Sequence, residues 1–187
     1  PNNSRQMAFL ADVATNVTAG QRICNRAAIT SPQTPTPFQP PEACFTVQAP
    51  QLSTPQKTDR DLDGGVFEPE DIVQFTVAIR KVSASQATAL RFLDDMPANL
   101  QLLSVVIPAG ATNNSSLTGG ANGTGRVDVS DITIPANLDS VNVTILAQVD
   151  SEAEFIASGV APGAIDGRTI CNQGRLRAPF LSADLLT

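Results

Sequence analysis

The sequence predicts an all-β chain: an antiparallel sandwich of about seven strands, preceded by a two-strand segment left over from an earlier repeat. Three observations predict it. Long runs alternate apolar and polar residues with period two, the signature of half-buried strands. Fourteen prolines, twelve glycines and abundant Ser, Thr and Asn punctuate those runs at turn spacing. The chain also repeats itself. GQRICNRAAI (Gly20 to Ile29) recurs as GRTICNQGRL (Gly167 to Leu176), placing Cys171 147 positions after Cys24, and Met7–Val13 matches Val143–Val149 at three positions.

In chain order, residues 1–30 carry the two strands that resemble the end of a preceding repeat. Residues 31–43, with five prolines, predict a stiff extended linker. The main domain is expected over 44–187 and opens with CFTVQAPQLSTPQKT, which carries a first strand broken by Pro50 and Pro55 and so placed at an edge. From Ile72, the row Val73, Phe75, Val77 and Ile79 faces in, and Gln74, Thr76, Ala78 and Arg80 face out. Further strands follow at 87–95, 100–108, 126–135 (kinked at Ser130-Asp131) and 140–149, and TICNQGRL closes the domain. Ser151–Gly159 reads as one turn of helix or a loop.

Between the first two strands of the domain lies a candidate metal loop, residues 59–70. DRDLDGGVFEPE matches D-x-D-x-D-G-x5-E, which places Asp59, Asp61, Asp63, the Gly65 position and Glu70 around one Ca2+. The competing reading is an acidic surface turn. With no flanking helix, the loop belongs to a β-domain and not to a helix–loop–helix sensor.

Composition narrows function by exclusion. Eighteen acidic against twelve basic residues, −6 net, disfavour nucleic acid and anionic membrane surfaces. No apolar run is long enough to span a bilayer. The chain has no His, Trp or Tyr, so an imidazole base, imidazole zinc ligands and rings for stacking sugars or nucleobases are missing or scarce, and an enzyme is not expected. Of the three cysteines, Cys24 and Cys44 bracket the proline segment, and a disulfide there would close a short loop worth about 3 kcal/mol. The alternative is three buried thiols. The same spacing after Cys171 would put its partner near position 191, which suggests a piece of a longer array.

From Glu68 to Asn172 the order of motifs resembles a bacterial tandem surface repeat, domain of unknown function eleven. PEDIVQFTVAI stands for its Gly-Asp and long strand, DDMP (Asp94 to Pro97) for Asp-x-Leu-Pro, and CNQG (Cys171 to Gly174) for the closing Asn-x-Ala, to which CNRAA is nearer. The resemblance implies an extracellular immunoglobulin-like building block. Some surface domains of similar build join a Lys on the first strand to an Asn on the last by an isopeptide bond promoted by a buried acid. Lys57 and Asn172 occupy those places, with Asp94 or Asp71 as the acid. The competing reading is an exposed strand-end lysine beside a turn-forming Asn. The expected role is structural: a secreted or surface fibre, stalk or layer, stiffened by calcium and partnered by copies of itself. The alternative is an adhesin that presents loop 109–125 to a glycan or protein.

Overall fold

The computed structural model describes residues 7–13 and 19–187. The chain divides into two compact units, Pro1–Ala49 and Pro50–Thr187.

The first unit contains two small antiparallel ladders. β1 (Arg22–Asn25) pairs with β4 (Ala43–Thr46), and β2 (Ile29–Ser31) pairs with β3 (Thr34–Phe38) across a Pro32-Gln33 turn. Residues 31–43, expected as a stiff extended linker, are thus in part strand, though not in a central one. Pro35 and Pro37 sit in a two-stranded hairpin, where one side of the strand needs no ladder donors. Cys44 does not open the main sandwich either, because β4 belongs to this first unit. Residues 7–13 form no strand, although their counterpart Val143–Val149 does. The counterpart has a paired strand on each side, whereas an isolated strand leaves its backbone groups unmatched.

The second unit is the antiparallel sandwich, with two short strands added to the seven expected. One sheet runs β5–β6–β11–β8: Gln56–Asp61, Ile72–Arg80, Ser140–Val149 and Leu100–Val106. The other runs β13–β12–β7–β10–β9: Leu185–Leu186, Arg175–Arg177, Ala87–Asp95, Arg126–Ile134 and Thr112–Asn113. Period-two patterning decides what fills the space between them. Val73, Val77 and Ile79 of β6, Val143, Ile145 and Ala147 of β11, Leu90 and Phe92 of β7, Val127, Val129, Ile132 and Ile134 of β10 and Leu176 of β12 form one buried cluster. Each such large apolar side chain contributes about 1.5–3 kcal/mol by leaving water. The kink expected at Ser130-Asp131 is a register shift between Val129 and Ile132, with Asp131 at φ 58°.

The last expected strand starts later than the sequence suggests, and the helical alternative holds for the segment after Asp150. Residues 169–174 are not strand, and β12 begins only at Arg175. Glu152–Ala157 is a helix (α1), started by a capping box in which the Ser151 side chain and the Glu154 side chain each bond the other's backbone N–H. Loop 109–125 is pinned to the sandwich. β9 pairs with β10, Ser116 bridges Arg126, and the Thr124 hydroxyl donates to the Met96 carbonyl at 3.0 Å. Among the described residues, no helix is long and apolar enough to cross a membrane.

Candidate functional site

Lys57 lies on β5, an edge strand, directly opposite Val77 of β6. Directly paired residues point to the same face of a sheet, and Val77 is fully buried, so the register aims the lysine inward. Asp94 near the end of β7 stands opposite Val127, also fully buried, and is aimed inward from the facing sheet for the same reason. The segment entering β12 brings Asn172 to the same point. Three polar residues from three separate parts of the chain therefore meet inside an apolar sandwich.

The geometry is tight. The Lys57 ammonium donates to Asp94 Oδ2 at 2.6 Å, and Asn172 Nδ2 donates to the same oxygen at 3.3 Å. The Lys57 and Asp94 side chains are 7% and 0% exposed. The Phe75 ring lies 4.8 Å from the lysine nitrogen, and Met96 Sδ lies 3.9 Å from Asn172 Nδ2. Asp94 Oδ1 and Asn172 Oδ1 are buried with no hydrogen-bond partner among the described residues. With a charged carboxylate both are acceptors facing apolar surroundings, a costly arrangement that a proton on Asp94 relieves by supplying a donor.

Burial acts on the two titratable groups in the same sense. It pushes Lys57 below the usual lysine range, with the nearby Asp94 charge opposing, and pushes Asp94 above the usual carboxylate range, with Lys57 and the Asn172 hydrogen bond opposing. Both shifts favour a neutral amine beside a protonated acid. Next to them opens a cavity of about 360 Å³, lined by Lys57, Asp59, Phe75, Phe155, Arg168 and Asn172 among others. Of the two acids the sequence offered for this site, the structure brings Asp94 into it; Asp71 is elsewhere, accepting from the Glu68 N–H at 2.6 Å.

The metal loop is rearranged relative to its sequence template. Asp61, Asp63 and Asp71 bring carboxylate oxygens within 4.8 Å of one another. Asp59 and Glu70 are outside that group. Asp59 is held in β5, two strand residues before Asp61, a separation of about 7 Å that a helix–loop–helix turn would have closed. Glu70 is exposed, and its backbone is tied to β11: its N–H donates to Val149 O at 3.1 Å and its carbonyl accepts from Gln148 at 3.0 Å. Gly65 sits in the loop at φ 115°, a conformation glycine adopts readily. Asp61 Oδ2 is buried without a partner among the described residues, and the Asp63 carboxyl is raised above its usual range, first by its hydrogen bond to Asp61. Asp71, adjacent to the template's Glu70, is the member that spacing alone did not select.

Cys24 and Cys44 form the expected disulfide, made possible by their direct pairing in the β1–β4 ladder. Cys171, next to Asn172, is an exposed free thiol.

No family model matches the chain, so the resemblance to domain of unknown function eleven gains no support. No curated protein matches it either. Among solved structures, the major pilin SpaA of Corynebacterium diphtheriae, described for a modular pilus assembly with stabilizing isopeptide bonds, is similar at 16% identity and a TM-score of 0.47. That similarity covers 77% of this chain, which spans 44% of the pilin.

Proposed function

We propose that this chain is a structural module of an extracellular fibre, stalk or layer, and that its sandwich closes itself with an amide bond between Lys57 and Asn172. The observation that carries the reading is the buried carboxylate of Asp94, one oxygen of which takes both nitrogens. The chemistry balances without a cofactor. Neutral Lys57 Nζ attacks the Asn172 amide carbon while Asp94 donates its proton to the amide oxygen. The tetrahedral intermediate collapses as protons pass through Asp94 from the former amine to the leaving NH2. One C–N bond forms, one breaks, and ammonia departs. The adjoining cavity gives it a way out. The reaction consumes its own residues, so the module turns over nothing.

The mechanical consequence follows from position. Lys57 is near the start of the second unit and Asn172 near its end, so tension applied to the chain ends would cross the amide and bypass the residues between. Closing a loop of a little over 100 residues also stabilises by about 4–5 kcal/mol on the chain-entropy model. A disulfide in the first unit fits an oxidising, extracellular setting.

The same reading includes the acidic loop as a Ca2+ site formed by Asp61, Asp63 and Asp71, in place of the original set. Support comes from three oxygens gathered around one point, one of them buried and unpaired. The partners of the module are further sandwiches of the same build, in a polymer or a tandem array. Electron microscopy of purified native material tests the assembly, with long particles expected and monodisperse monomers contradicting it. A Lys57–Asn172 branched peptide in a protease digest tests the bond.

A further inference from the structure

The hairpins at the ends of the two units are the same structure twice. Shifted by the 147 positions that separate Cys24 from Cys171, the β2–β3 pair Ile29 opposite Phe38 becomes Leu176 opposite Leu185, which is the register of β12–β13. The turns coincide as well. Ser31 pairs with Thr34 around Pro32, and Leu181 N donates to Ala178 O at 3.1 Å around Pro179. The environments are opposite. Leu176 is fully buried and Leu185 packs on the core, whereas Ile29 and Phe38 are 61% and 63% exposed. On the same shift Asn25 falls on Asn172, and it is exposed.

Resting on the cross-link reading above, we propose that Gly20–Phe38 is the closing segment of another sandwich of this build, and that Asn25 is the acceptor of that sandwich's amide bond. The occupant of the exposed Ile29/Phe38 face is a second sandwich body, with a lysine and a buried acid at the places of Lys57 and Asp94 and an open edge on its β7-like strand. Its residue at the place of Phe92 is smaller than Phe. Ala27 falls on Gly174, where a Cβ would lie 2.4 Å from the Phe92 ring. The Cys24–Cys44 disulfide then ties the last segment of one sandwich to the strand that leads into the next, one residue from the covalent bond.

A transplant within the full chain tests this. Gly167–Leu185 is replaced by Gly20–Phe38, a segment of equal length, carrying Ala27→Gly to clear Phe92. The chimera is expected to fold, to weigh one ammonia less than its sequence, and to yield a peptide joining Lys57 to the transplanted Asn25; Asn25→Ala in the graft restores the full mass. A second graft transfers only Gly20–Ala27, again with Ala27→Gly, onto Gly167–Gly174 and keeps the native hairpin, so that the acceptor is tested apart from the hairpin's packing. A native chain that has lost ammonia beside a minimal graft that has not would overturn Asn25 as acceptor. An unfolded full chimera would overturn the claim that the segment completes a sandwich. A native chain at full mass overturns the cross-link reading itself, and the acceptor role with it.

Discussion

Lys57 and Asp61 stand on the same face of β5, about 13 Å apart along one strand, yet they belong to sites of opposite character. At Lys57 the strand lies over the core, and burial drives an amine and an acid toward their neutral forms beside an amide. At Asp61 the strand leaves the sandwich, and two further carboxylates gather at its partly open rim. A charge that cannot reach water is driven toward its neutral form, whereas carboxylates gathered at a rim can share a cation. On the proposed reading, one strand carries a covalent reinforcement where it lies over the core and an ionic one where it reaches the rim.

The largest break in this comparison is expected from Lys57→Ala. It removes the bond and leaves the buried Asp94 carboxyl without that hydrogen-bond partner, costs of about 4–5 and 1–3 kcal/mol respectively, so Tm by calorimetry should fall by on the order of 15 °C or more. Asn172→Ala keeps the Lys57–Asp94 contact and removes only the bond, and should fall by about 10 °C. This uncoupled variant also exposes the titration of Lys57. Its pKa in the folded protein is lowered, so between that value and 10.5 the unfolded chain binds more protons than the folded one, and stability rises with pH across the window. Urea titrations should show the gain in Asn172→Ala and its loss in Asn172→Ala with Lys57→Met.

Smaller effects belong to the rim. Adding calcium should raise Tm by a few degrees, about what 1–2 kcal/mol of linkage provides, and Asp61→Ala should abolish the response while Glu70→Gln retains it. A response lost in Glu70→Gln and kept in Asp71→Asn would restore the sequence template. The smallest effect concerns the cysteines. Cys171 should be alkylated without reductant, and reduction of Cys24–Cys44 should leave the transition of the second unit in place.

Much of the sandwich was legible because its strands alternate cleanly. The bounds of β6, β7 and β11 and the kink at Asp131 follow from side-chain rows alone. The pairing of the proline segment is not legible, because proline density predicts a stiff extended linker equally well whether or not Pro35 and Pro37 alternate with Thr34, Thr36 and Phe38 in a hairpin strand. The calcium template assumes a continuous loop, whereas β5 extends through Asp61 and the backbone of Glu70 is tied to β11, so that Asp71 and not Asp59 or Glu70 lies beside Asp61 and Asp63. Lys57, Asp94 and Asn172 could be nominated from sequence, but their meeting depends on long-range register, with Lys57 opposite Val77 and Asp94 opposite Val127. Local patterns carry no record of that pairing.

The central claim is most directly tested by the intact mass of the full chain beside that of Asp94→Ala, both denatured and reduced before measurement. The native chain is predicted to weigh one ammonia less than its sequence requires, and Asp94→Ala to weigh the full amount because Lys57 then lacks its proton relay. A native chain at full sequence mass, or an Asp94→Ala chain that still loses ammonia, would contradict the account.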